Sequence, residues 1–389
     1  MVNSKPELLR KLNDRQILNL IRQEGPISRA EIARELGLAL PTVSRAVDSF
    51  LERGWIETVG VGTSSGGRPP TLLRLKENST GAVGIEIGRS SVRIIYTDLR
   101  AHVRYLDERS INEVAGPSSL LKYVYEFIEE HQLPIDQIEG IGIAAPGPLD
   151  AAKGVLMVPE DITSEWIGAP IVQVLMDGLN VPCYLSNDAN AAALAESWFG
   201  KAKDYDSVVF VLSDIGLGAG VVLNGSIWNG HNNFSGEISH MIVDVQGIKC
   251  SCGRVGCLNA YASLRAIEQA VRSREASRAD ATWSDIIRRA KERINPEAEV
   301  IRTAARYLAA AIVNIIQMID PAVIVLGGRA MLHEDMYLFN LVRQHVNQLL
   351  GNEERDILIT GFGVDAVCVG AASLALQYVY DHTRLLKQS

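Results

Sequence analysis

The sequence predicts an α/β protein in two parts: an N-terminal winged helix-turn-helix, then a two-lobed body of alternating strands and helices. Three observations carry the prediction. Residues 1–77 set two short helices, a glycine-bearing turn and two β-rich runs around a Gly/Ser/Pro loop in the order of a winged helix. From Gly81 onward, strand patterns alternate with helical ones. Glycine bends at Gly88 and at Gly216, Gly218 and Gly220 recur at similar places in two hairpins, which points to two related lobes around a cleft.

Composition bounds the class. A chain of 389 residues that is 47% hydrophobic has ample core for two or three domains. It holds no run of 18 apolar residues, and its first fifteen residues lack the apolar stretch of a secretory signal. Of its five cysteines, three fall in one local cluster, so no disulfide framework is expected. No membrane partner and a reducing, cytoplasmic setting are therefore expected. Charge is uneven: residues 1–80 hold twelve basic and nine acidic side chains, whereas the whole chain is at −8. A mildly basic head on an acidic body is the balance of a nucleic-acid-binding head on a body that does not bind nucleic acid.

In the head, Leu8, Leu12, Ile17, Leu18 and Ile21 lie near one helical face, and Gly25-Pro26 ends that helix. Ser28 is an N-cap whose capping box is completed by Glu31. The helix that follows stops at Gly37, and the next carries Pro41 in its first turn and runs to Gly54. Ala33, Leu38, Val43 and Val47 are the expected packing between the two. The second helix of such a pair enters the major groove, so Pro41, Thr42, Ser44 and Arg45 are the expected base-facing residues. A strand WIETVGV, a loop GTSSGGRPP and a strand TLLRLK form the wing. Its tip presents Arg68, suited to a narrow, electronegative minor groove. The competing reading is a helical protein-interaction domain with a linker.

In the body, residues 81–99 read as a hairpin, 138–150 as a buried strand ending in a Gly/Pro turn, and 181–200 as a strand, turn and helix. Residues 207–228 form a second glycine-rich hairpin, and 321–330 a strand entering a glycine turn. Residues 301–319 form an apolar helix, expected in the core, between the lobes or at a subunit contact. The densest chemistry is GEISHMIVDVQGIKCSCGRVGC, residues 236–257. His240, Cys250, Cys252 and Cys257 supply three thiols and an imidazole within eighteen positions, the donor set of a closed, structural zinc site. The competing reading is that the cysteines pack as small hydrophobes.

The order of these pieces resembles one family. IAAPGPLD, NDANAAALAE, GEISHMIV, CSCGRVGC, IDPAVIVLGG and the GGRP wing are similar to the ROK family of repressors, open reading frames and sugar kinases. The resemblance implies an actin-like, sugar-kinase ATPase fold. With the winged helix in front, the chain resembles ROK transcriptional regulators such as those responding to xylose, glucose or N-acetylglucosamine. It divides the chain into a winged helix-turn-helix (1–77), lobe 1 (78–195) and lobe 2 with the zinc loop (196–389), the last helix being free to return to lobe 1. By resemblance Asn187, Asp188, Glu237 and His240 contact sugar hydroxyls, and His240 also binds the zinc. Glu160 and Asn259 stand at the pocket rim, where family members carry Asn and Glu, an exchange that implies a ligand other than glucose unless both face solvent. The kinase base would be Asp188. The phosphate loops depart from the kinase pattern: Arg89 replaces glycine in the first, and Asp214 and Ile215 alter the second by adding a charge and removing a hydroxyl. The implied protein is a non-enzymatic, sugar- or polyol-responsive repressor binding an A/T-rich palindromic operator as a homodimer or dimer of dimers. The alternatives are an active sugar kinase with a DNA-binding head and a scaffold with a fossil pocket.

Overall fold

Ser28 and Glu31 bond reciprocally at the start of the helix-turn-helix: Ser28 Oγ accepts from the Glu31 amide at 3.3 Å, and Glu31 Oε2 accepts from the Ser28 amide at 2.9 Å. The structure, a computed structural model, describes residues 5–61, 69–157, 162–333 and 335–380. Its head comprises α1 (Lys5–Glu24), β1 (Ile27–Ser28), α2 (Arg29–Leu36), α3 (Leu40–Glu52), β2 (Ile56–Val61) and β3 (Thr71–Leu75). Gly37 closes α2 in the left-handed region that a glycine adopts without strain. Val43, Ala46, Val47 and Phe50 bury one face of α3 against Ile17, Leu18 and Ile21 of α1, with Ala33 and Leu38 partly buried beside them. The wing strand β3 pairs antiparallel with both β1 and β2. Arg68, the expected wing tip, lies outside the described residues.

The body holds two five-stranded sheets. The first contains β4 (Gly81–Ile87), β5 (Ser91–Asp98), β6 (Val103–Ser110), β7 (Ile138–Ala145) and β10 (Cys183–Asn187). Around it lie α4 (Pro117–Glu130), α5 (Ile171–Leu179) and the short ribbon of β8 (Leu149–Asp150) and β9 (Val155–Leu156). After α6 (Asp188–Trp198) comes the second sheet: β11 (Ser207–Ser213), β12 (Leu217–Leu223), β13 (Ser226–Ile227), β14 (Val323–Gly327) and β15 (Asp356–Ile359). Its helices are α7 (Asn259–Ala262), α8 (Leu264–Arg274), α9 (Trp283–Lys291), α10 (Glu297–Ile319), α11 (Arg329–Leu332) and α12 (Tyr337–Leu350). The last helix is α13 (Ala366–Tyr380).

The strand orders are β6-β5-β4-β7-β10 and β13-β12-β11-β14-β15. Each is an antiparallel meander extended by two parallel strands. The two lobes therefore repeat one topology; Gly88 and Gly216 occupy equivalent turns, whereas Gly218 and Gly220, expected as bends, lie within β12, where Gly220 packs against the Ala189 backbone. The elements between the sheets are α6 and α13, which pack on each other. They approach so closely that a Cβ on Gly84, Gly142 or Gly370 would lie 2.3, 1.6 or 2.2 Å from backbone atoms of the facing element. Residues 363–380, which include α13, are long and apolar enough to cross a membrane by composition, yet 72% of that span is buried in the protein. The apolar run 301–319 forms most of α10, whose buried face does not lie between the lobes. It fills the core of the second lobe, where Ile301, Ala305, Leu308 and Ile312 pack with Val209, Val211, Ile324 and Leu326.

Candidate functional site

Both candidate centres grow from helix starts and tight turns at the mouth between the sheets. At the end of β10, Asn187 turns the chain into α6. Its Oδ1 accepts from the amides of Ala189 at 3.0 Å and Asn190 at 3.3 Å, so the carboxamide oxygen is a helix cap and only the amide nitrogen is left for other contacts. Asp188 follows in the first turn, where a carboxylate is favoured by the helix dipole, and one of its oxygens accepts from the Ala189 amide at 2.8 Å. Glu237 comes from the second lobe. Gly236, at φ 83°, lies so close to β12 that a Cβ would sit 1.8 Å from the Ala219 carbonyl, and this approach aims Glu237 toward Asn187 and Gly147. A short 3-10 turn over Ile238–His240 then brings His240 to the same wall.

These side chains line a cavity of about 250 Å³ together with Asn259 and Arg89. Burial pushes the Asp188 carboxyl above its ordinary range, and the Arg89 guanidinium opposes that shift. Glu237 is also pushed up, first by burial and then by the Asp188 charge. Two carboxylates facing one small space can accept hydrogen bonds from neighbouring hydroxyls, while the amides of Asn187 and Asn259 can donate. Glu160 lies outside the described residues.

Arg89 separates this cavity from a second of about 270 Å³ lined by Glu86, Arg93, Asp214 and Arg329. Its guanidinium, on the β4–β5 turn, reaches across the cleft to the β11–β12 turn: a Cβ on Gly216 would lie 3.3 Å from it. Asp214 does not present the bare negative charge that the sequence implied. Arg329 grips it, with Nη2 donating to Oδ1 at 2.6 Å and Nε to Oδ2 at 3.1 Å. Arg93 bridges to Glu86 at 3.5 Å and to Asp365, and burial pushes Glu86 up to about 7. The Asp214 charge is thus paired, and the Arg89 guanidinium stands between the two hairpin turns. Sequence reasoning missed Arg93 and Arg329. The signals were an arginine inside the apolar run of β5 and one directly after Gly327-Gly328.

Below the cavity His240, Cys250, Cys252 and Cys257 converge, their ligand atoms all within 4.8 Å of one another. Cys252 and Cys257 stand 3.6 Å apart, Sγ to Sγ. Three sulfurs and a nitrogen at such spacing fit a tetrahedral metal ion with bonds of about 2.0–2.3 Å. A brace holds the loop: Asp244 Oδ2 accepts from the hydroxyls of Tyr307 on α10 at 3.0 Å and Tyr261 on α7 at 3.3 Å, and Tyr261 Oη accepts from the Ile248 amide at 2.8 Å.

In the head, Pro41 and Arg45 of α3 are exposed, with Thr42 and Ser44 partly so. Arg29 ties this helix to α2 by donating to Asp48 at 2.7 Å and to the Ser44 carbonyl at 3.3 Å. That pairing cancels one negative charge on the surface a DNA groove would meet.

Comparison with known proteins matches these features. The family model described as ROK family covers residues 82–378, and one described as winged helix-turn-helix DNA-binding covers residues 10–57. The chain is 30% identical over 380 residues to a xylose repressor of Bacillus subtilis (strain 168), covering 96% of this chain and 97% of that protein. Among solved structures it is similar to a ROK family transcriptional regulator, a homolog of E. coli MLC protein, with TM-score 0.80 and 26% identity over 98% of this chain and 99% of that one. It is also similar to a ROK hexokinase from Thermus thermophilus, with TM-score 0.67 and 27% identity over 77% and 98%.

Proposed function

The chain belongs to the ROK family, and from that premise we propose that it is a sugar-responsive, DNA-binding transcriptional repressor that has given up phosphoryl transfer. The observation that carries this reading is Arg89. Its side chain fills the gap between the two hairpin turns that a kinase keeps open for phosphates, while the acids on the sugar side, Asp188 and Glu237, remain. Binding is retained and the nucleotide grip is lost.

A neutral sugar or polyol sits in the 250 Å³ cavity with its hydroxyls donating to Asp188 and Glu237. Asn187, Asn259 and His240 complete the contact set, with Glu160 at the rim. His240 joins Cys250, Cys252 and Cys257 on a zinc ion, which would fix one ring nitrogen and so aim the other face of the imidazole at the ligand. In the head, Thr42, Ser44 and Arg45 face base edges and Arg68 enters the adjacent minor groove of an A/T-rich palindrome read by two copies of the chain. The setting is cytoplasmic. Ligand changes operator affinity only by its differential affinity for the open and closed cleft.

The test uses the purified full chain. A thermal-shift panel that includes D-xylose identifies a binding sugar, and a duplex selected from random oligonucleotides supplies the DNA. The sugar is expected to change affinity for that duplex by about fivefold or more. Sugar-dependent ADP release from Mg-ATP at about 1 s⁻¹ or faster, within the kinase range, would replace this reading with the enzymatic one.

A further inference from the structure

The head is not tethered to the body by a bare linker. Its helix α1 ends on the body, and Arg22 in its last turn makes the contact. Arg22 Nη1 donates to the Trp198 carbonyl at 2.5 Å, and Nε donates to Asn19 Oδ1 at 3.0 Å. The guanidinium carbon lies 4.6 Å from the Trp198 ring centre, 5.3 Å from Phe199 and 5.5 Å from Tyr380. Among the described residues no carboxylate pairs with it. Its charge is held by three aromatic faces and one carbonyl at the C-terminal end of α6, where a helix dipole favours a cation. Burial pulls its pKa down to about 10, so the site holds a desolvated charge.

The walls of this cage belong to different lobes. The Trp198 indole donates to the Gly225 carbonyl at 2.7 Å, in the β12–β13 turn of the second sheet. The Tyr380 hydroxyl donates to the Leu99 carbonyl at 2.7 Å, just after β5 of the first sheet. Gln377 of α13 also donates to the Gly225 carbonyl at 3.2 Å, so rotation of one sheet against the other would load the contact between the two aromatic walls. The helix that carries Trp198 is α6, whose other end holds Asn187 and Asp188 in the effector cavity. Beside the cage lies a gap of about 650 Å³ between head and body, lined by Arg22, Arg74, His102, Lys203 and Ser226, which gives the head room to tilt.

We propose that Arg22 is the residue through which the DNA-binding head reads the angle between the two lobes. With the cleft in one state the three rings and the α6 carbonyl enclose the guanidinium and the head is fixed. In the other state the cage opens, Arg22 regains water, and the spacing of two heads in a dimer is no longer set. This rests on the regulatory reading above, and the position is outside both the sugar cavity and the DNA-facing helix, so its effect is separable from either.

The experiment compares wild type with Arg22→Met, which keeps side-chain length and helix propensity, and with Trp198→Phe, which alters the cage from the other side. Sugar affinity, measured by calorimetry with D-xylose or the sugar identified by thermal shift, is expected to stay within about twofold for both. The sugar-induced change in affinity for the selected duplex is expected to fall from about fivefold or more to less than about twofold. A variant that keeps the wild-type response overturns the proposal while leaving the regulatory reading intact. A wild-type chain whose DNA affinity ignores every sugar it binds overturns the regulatory reading instead. Hydrogen exchange then still decides the docking: amides of residues 5–24 should exchange at least about fivefold faster in Arg22→Met through local opening, and unchanged exchange overturns the proposal.

Discussion

Burial disfavours the ionised form of Asp188, and Arg89 supplies the opposing charge. On the proposed reading one side chain does two things: it spans the two hairpin turns and favours the ionised form of a hydroxyl acceptor. The sign of the consequence follows. The ionised carboxylate is the better acceptor for a sugar hydroxyl, and removing the guanidinium raises the carboxyl further, so the protonated fraction at mildly acid pH grows. Arg89→Gly is expected to bind the sugar with near-normal affinity at pH 8 and more weakly at pH 6, with a steeper loss than wild type. Asp188→Asn should lose about 10- to 100-fold at both pH values, as expected for a hydrogen bond to a charged group. Calorimetry at the two pH values reads both.

At the scale of elements, residues 237–258 show how a long irregular segment is held in place. From Glu237 to Leu258 the chain makes only short turns and isolated bridges; the tyrosines clamp Asp244, and four side chains that could hold a metal ion converge. Zinc is expected at one equivalent per chain by elemental analysis. Its removal with a chelator, or Cys252→Ser, should lower both the melting temperature and sugar affinity, since His240 and Glu237 lose their common support. Sugar affinity that is unchanged after verified metal removal would separate the loop from the pocket. Elements of this kind were legible because their signals are local. Ser28 with Glu31 announced the capping box, Gly37 the helix end, and the spaced thiols with His240 the convergent cluster. Partners brought from far along the chain were not. Asp214 and Arg329 stand 115 positions apart, and nothing in either segment announces the pair. The helix α10 was legible as apolar, but an apolar surface on several sides does not say which layer covers it, and the structure puts it inside one lobe.

Across the whole molecule, apolar packing runs unbroken from the head into the body: Ile21 and Leu73 belong to the same cluster as Trp198, Ala191 and Tyr380. A chain shortened to begin at residue 78 would leave Trp198, Phe199 and Tyr380 facing water. It is expected to bind the dye ANS more strongly than the full chain and to self-associate, with sugar affinity preserved because the cavity lies at the far end of α6. Dye fluorescence and sedimentation of the two proteins check this. The repeat of one topology in both lobes was foreshadowed by the matched glycine hairpins. Their orientation about α6 and α13 needed three dimensions, because α13 is apolar on every side and carries no periodicity to orient it.

The aromatic seat on the body has a consequence for descent and for engineering. If Arg22 couples head and body as proposed, a DNA reader moved onto this body at the linker alone would lose the coupling unless its first helix carried a cation of matching reach. A body that carries no such reader gains nothing from three rings at that corner, so that patch is where a chain built for a head differs from one built without.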